Sequence, residues 1–206
     1  MAAGYKHFTT GSILTAADLE DYNQNQSVMR FASVAARNSA LTSVVTDGML
    51  AYNIDLKQTQ IYDGTDWTIL TEPAQSWTPT ITGITTTTGT WVAYYHRSDG
   101  WCDYQAELTF GASTAITADV LLTLPKAAFA TGIGLHNGSF YDSSVGSTYP
   151  LAPAFTASAA SIWCRVMNAA GTYGVLSAMS ATIPVAYGTG DKFTMRGRYR
   201  MTTRYS

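Results

Sequence analysis

The residues able to do acid–base, nucleophilic or metal chemistry here are three histidines, two cysteines and fourteen carboxylates. His7, His96 and His136 lie in different segments with no metal-ligand spacing between them, so only the tertiary fold could join them in one site. Cys102 and Cys164 each alternate with apolar neighbours in strand-like text and read as small buried hydrophobes. Two cysteines are too few for a disulfide framework, and their spacing matches no zinc site. Asp103 and Glu107 share one face of a strand pattern but sit about 13 Å apart along it. Glycoside hydrolysis needs two carboxylates facing each other across a cleft, which one strand cannot supply. The chain has no G-x-S-x-G, no H-E-x-x-H and no P-loop. The expectation is a protein without catalytic residues, cofactor or metal.

Two features point to binding instead. Aromatic residues crowd the second half of the chain, among them Trp91, Trp101 and Trp163. By alternation Trp101 and Trp163 fall on the polar faces of their strands. An exposed ring beside polar groups is how proteins stack on sugars, so these three rings are candidate glycan-stacking residues. The other reading of each ring is burial at a subunit interface or under a loop. Arg196, Arg198 and Arg200 form a ladder on one strand face, where guanidiniums repel unless carboxylates oppose them. Asp103 and Glu107 have the alternation to do so, which predicts inter-strand or inter-subunit salt bridges in preference to an anion site.

These residues need a framework, and the sequence supplies one that is mainly β. Residues 1–71 read as an attachment and trimerisation region. An extended arm with Tyr5, Phe8 and Ile13 precedes a capping box formed by Thr15 and Asp18. A helix is predicted from about Thr15 to Arg37, with Leu19, Tyr22, Gln26 and Met29 at successive a and d positions, continued by Ser33 and Ala36. So narrow a seam argues for association between copies, with Gln26 fixing register, over a monomer whose helix folds back on the β domain. The text GMLAYNIDLKQTQIYDGTDWTIL then reads as a small β-meander, Met49 to Tyr52, Gln60 to Tyr62 and Trp67 to Leu70. Asp47-Gly48 and Asp63-Gly64 provide its turns. Residues 72–80, EPAQSWTPT, read as a linker.

Residues 81–206 read as a C-terminal antiparallel β-sandwich, jelly-roll-like, without βα alternation. Strands are predicted over Thr90 to His96, Trp101 to Phe110, Asp119 to Leu124, Ile133 to Tyr141, Ser161 to Asn168 and Lys192 to Thr203. Turn signals at Asp99-Gly100, Asn137-Gly138 and Gly188 to Asp191 separate them. In the second of these strands, Cys102, Tyr104, Ala106, Leu108 and Phe110 share the buried face. In the last, Phe193, Met195, Gly197, Tyr199 and Met201 do.

Composition narrows the class further. Only 13% of residues are charged, about half the usual share, and the formal net charge is -2. Such a chain lacks the basic footprint of a nucleic-acid binder. No apolar run approaches the roughly 18 residues of a membrane helix, and the opening MAAGYKHFTTGS has no apolar h-region, so neither membrane insertion nor a secretory signal is expected. A neutral, hydroxyl-rich surface suits a protein that buries much of itself in an assembly.

The first 70 residues also carry a resemblance. The order SILTAADLEDYNQNQSVMRF, ASVAARNSAL and GMLAYNIDLKQTQIYDGTDW, with its G-M-x-A-Y…Y-D-G-x-x-W unit, resembles the N-terminal part of tail-fibre, receptor-binding and minor tail proteins of tailed bacteriophages, especially those of actinobacteria. The likeness covers about a third of the chain. It implies a homotrimer in the virion, assembled in the host cytoplasm. It also implies an N-terminus anchored to other virion proteins and a C-terminal domain contacting the host surface; the exposed aromatic rings make a surface glycan the candidate partner there. It supplies no residue-level binding site. A capsid decoration or head-fibre protein is the alternative that the same N-terminal text allows.

Overall fold

The computed structural model describes residues 9–19, 27–129, 134–156, 160–168 and 174–202. The chain is mainly β and divides into two units, residues 1–73 with 204–206, and residues 74–203.

In the first unit the predicted capping box forms. The Thr15 hydroxyl accepts from the Asp18 amide at 3.1 Å, and the Asp18 carboxylate accepts from the Thr15 amide at 3.2 Å. The helix it starts, α1, spans Ala16–Leu19. The predicted continuous helix to Arg37 is not what forms. Val28–Phe31 is a strand, β1, and a second helix, α2, spans Val34–Leu41 with Ser33 as its N-cap, accepting from the Ala36 amide. Val28, Met29 and Phe31 favour a pleated surface, and β1 gains a full ladder with β2, Leu50–Asn53, from Val28 opposite Leu50 to Phe31 opposite Asn53. The proposed seam therefore does not run as one helix: Leu19 ends α1, Met29 sits on β1, and Tyr22 and Gln26 lie outside the described residues, as do His7 and most of the arm.

The β1–β2 pair is parallel, and parallel strands need a crossover, which α2 provides. This βαβ element is absent from the sequence reading. The predicted meander follows as β2, β3 (Gln58–Tyr62) and β4 (Trp67–Thr71), in sheet order β1-β2-β3-β4. Gly48 and Gly64 take φ of 86° and 89° at the two Asp-Gly turns, as that turn chemistry requires.

The second unit is a sandwich-like fold built from one continuous sheet that curls around its core. Its order is β5-β7-β8-β14-β10-β11-β12-β9-β6, with β13 paired to β12. The strands are β5 (Gln75–Ser76), β6 (Ile81–Thr85), β7 (Thr90–Ser98), β8 (Trp101–Thr109), β9 (Ala115–Thr123), β10 (Gly134–Asp142), β11 (Ser147–Phe155), β12 (Ser161–Asn168), β13 (Val175–Ala178) and β14 (Lys192–Arg200). The segment read as a linker is part of this unit from Ala74 on. Gln75 and Ser76 pair with β7, and Trp77 packs against the core.

The alternation read from β8 and β14 holds. Cys102, Tyr104, Ala106, Leu108, Phe110, Phe193, Met195, Tyr199 and Met201 are all buried. All of them but Ala106 meet Phe140, Leu151, Ile162, Val166, Val120 and Leu122 in one hydrophobic cluster. Asn137-Gly138, read as a turn, lies inside β10. A Cβ at Gly138 would stand 2.4 Å from the Met195 sulfur and 2.7 Å from the Thr194 carbonyl oxygen, so glycine there serves close strand approach.

Candidate functional site

The outward face of β7, β8, β14 and β10 collects most of the residues singled out from the sequence. The Asp99-Gly100 turn, with φ of 46° and 76°, closes the β7–β8 hairpin and fixes its register. His96 is thereby opposite Asp103, and Tyr94 opposite Gln105. On the other side of β8 the ladder falls into place, with Arg200 opposite Trp101, Arg198 opposite Asp103 and Arg196 opposite Gln105. Arg196 faces Asn137 of β10 on its far side.

The salt bridges form only in part as expected. Asp103 Oδ2 lies 3.8 Å from Arg198 Nε and 3.6 Å from His96 Nε2. Glu107 is taken by Lys192, at 2.9 Å, with Thr194 Oγ1 at 3.5 Å. Arg200 lies over the Phe129 ring, its Cζ 5.0 Å from the centroid. Among the described residues Arg196 meets no carboxylate. Lys192 is not among the residues expected to pair, yet it has the same strand parity as the arginines, which is the signal that places it on this face.

The three tryptophans separate. Trp101 is half-buried on the outward face, and the Arg198 guanidinium lies over its ring at 5.1 Å. Trp163 is also outward, on β12, under Arg165 at 5.2 Å, and Arg165 reaches Asp119 at 3.5 Å. Three strands lie between β8 and β12, so the two rings are about 19 Å apart along the curled sheet and do not share a site. Trp91 is a correction: it alternates with Ala93 on the inner face and packs against the core, so it is not available for stacking.

Beside this face lies a groove of about 240 Å³ lined by Tyr94, His96, Asp103 and Gln105, with Ala74, Tyr95 and Tyr104. Tyr94 is 51% exposed. Sequence reasoning passed over Tyr94 and Gln105 because nothing in their local text distinguishes them; their place follows from hairpin register.

The inner face holds His136. Its Nδ1 is 2.9 Å from the Tyr104 hydroxyl, while Nε2 is buried without a hydrogen-bond partner among the described residues. Burial lowers the His136 pKa to about 4 and pushes the Tyr104 and Tyr199 phenols above their ordinary range. Gly197 makes this pairing fit, since a Cβ there would come within 2.6 Å of His136 Nδ1 and 2.5 Å of the Leu135 carbonyl oxygen. Both cysteines are buried and neither is in a disulfide, and burial raises the Cys164 pKa. Among the described residues no three His, Cys, Asp or Glu side chains gather into a metal-binding group, and no helix is long and apolar enough to cross a membrane.

The chain matches no protein-family model, no curated protein and no solved structure. Any functional conclusion therefore rests on the residues themselves. The arrangement at the outward face offers hydrogen-bond donors, cations and an open phenol ring. It suits recognition of a polar ligand.

Proposed function

We propose that this chain is a non-enzymatic structural protein of a tailed-phage virion, placed at the tail tip or in a fibre. Its N-terminal unit anchors to the particle and its C-terminal β unit contacts the host surface. The observation that carries this reading is the G-M-x-A-Y…Y-D-G-x-x-W unit, whose residues are those that hold the first unit together. Met49 and Ala51 are buried, and Tyr62 packs on Trp67 at 5.6 Å. Arg37 lies over the Trp67 ring at 4.4 Å. The Asp63 carboxylate caps the turn by accepting from the Thr65 and Asp66 amides at 3.0 and 2.9 Å.

The homotrimer belongs to the same proposal. Without a continuous helical seam it would use other apolar surface, and Val28, Val44, Ile54 and Leu56 of the first unit are all exposed. Light scattering on the full chain should give about three times the 22.2 kDa of one copy; a mass of one copy would refute it. Gold labelling of intact particles tests the location: signal at the tail supports the reading, and signal on the capsid replaces it with a decoration or head-fibre role. Release of saccharide or peptide from incubated host envelope would overturn the non-enzymatic assignment.

A further inference from the structure

We infer that the outward face of β7, β8 and β14 binds an acidic saccharide, one carrying a carboxylate or a phosphate, with Arg196 taking the anionic group. This rests on the host-contact reading and names its ligand class. The first observation is the charge balance. Across these strands Lys192, Arg196, Arg198 and Arg200 face only Asp103 and Glu107, on a chain whose net charge is -2. Asp103 is engaged by Arg198 and His96, and Glu107 by Lys192. Neither of the carboxylates expected to neutralise the ladder is thus engaged by Arg196, which stands exposed between two neutral amides, Gln105 and Asn137. A guanidinium with its fork free matches a carboxylate or phosphate in two-point geometry, and the flanking amides can hydrogen-bond ring hydroxyls.

The second observation is the groove beside it. Its volume of about 240 Å³ lies below the roughly 300–1,000 Å³ of sites that enclose a drug-sized ligand. It fits a single sugar unit of a longer chain. Gln105 belongs both to the groove lining and to the Arg196 cross-strand pair. Tyr94, also in the lining and half exposed, is the open ring for stacking. Trp101 already carries Arg198 over its ring. The sequence pointed to stacking on Trp101; the geometry moves it to Tyr94.

The test uses the full chain and measures binding by calorimetry to trigalacturonate, its methyl ester, mannose 6-phosphate, inorganic phosphate and polyglutamate. The expected result is binding of trigalacturonate or mannose 6-phosphate, with the ester and free phosphate much weaker. Arg196→Gln should weaken acid binding about tenfold, the scale of one lost charge-assisted hydrogen-bond pair, and leave the weak ester binding unchanged. Tyr94→Ala should weaken both. Both side chains are exposed, so the melting temperature should hold. Equal binding of polyglutamate and the sugars would overturn the inference in favour of an acidic protein partner, and no binding of either acidic sugar would overturn it outright. Pull-down on a panel of actinobacterial cell walls separates the two levels. Wall binding that survives both substitutions sinks the ligand class and leaves host contact standing. Binding of acidic sugars without binding to any wall supports the ligand class and counts against host contact.

Discussion

The two units solve the same problem with opposite materials. Both bury one face of a sheet. In the second unit that face is filled by Leu108, Phe110, Phe140, Phe193 and Tyr199, nearly or wholly inaccessible to water. In the first, the buried apolar share among the described residues is only Leu41, Met49, Ala51 and Ile69. Much of the rest of its interior is polar. The Gln60 side-chain oxygen accepts from Arg37 and, at 2.7 Å, from Asn53; Gln60 donates to Gln58 at 3.3 Å, and Gln58 to Glu72 at 2.8 Å. Burial lowers the pKa of Arg37. Hydrophobic burial is forgiving about detail, whereas a buried polar network stabilises only when every member is satisfied. The large unit thus draws stability from area, whereas the small one relies on directed bonds, and Asn53 Oδ1 is left buried without a partner among the described residues.

This contrast can be broken by substitution, read separately in each unit through amide hydrogen exchange. The largest effect belongs to the apolar core. Phe193→Ala should cost about 3–5 kcal/mol and lower protection in β8 and β14. Comparable protection in those strands before and after would show that the curled sheet does not depend on this packing. Arg37→Ala should cost about 1–3 kcal/mol, because the buried Gln60 side-chain oxygen loses one of its two donors. The loss should appear in β2 and β3. If Arg37→Met proves more stable than the parent chain, the network serves specificity alone.

A third effect sharpens the contrast by pH. His136 is neutral in the folded state, with a pKa of about 4 against about 6.5 unfolded. The unfolded chain therefore binds the extra proton first as pH falls, and stability contributed by this group declines from about pH 6.5 toward pH 4. The melting temperature of the second unit should fall between pH 7 and pH 5, and His136→Gln should flatten that slope. An unchanged slope would mean that the ring is solvated. The smallest effect is at the surface. Lys192→Gln removes an exposed ion pair with Glu107 and should change stability by about 0–1 kcal/mol; a larger loss in urea unfolding would mean that the outward ladder supports the sheet.

Some of this was legible in residue order. The period of two in β8 and β14 exposed their buried faces, because polar and non-polar residues alternate over nine positions in each, Trp101 on the polar face being the exception. The capping box and the Asp-Gly turns were readable because each is a local rule of a few atoms. β11 is absent from the predicted strands: it carries Pro150 and Pro153, a residue type disfavoured inside sheets, yet it pairs with β10 and β12 on both sides. β1 was hidden inside a helical spacing because four residues carry too little periodicity to outweigh it, and only its ladder with β2 decides the matter.

The candidate site shows the same division. Composition and alternation determined that the chain is β-rich, that the arginine ladder faces outward and that the cysteines are core. They could not determine which cation meets which carboxylate, because cross-strand neighbours depend on register. Only the pairing of β8 with β14 gives Asp103 to Arg198 and leaves Arg196 between amides. Only the hairpin register of β7 and β8 puts Tyr94 beside Gln105. A strand's own sequence fixes which way each side chain points; what it points beside is set by strands distant in the chain.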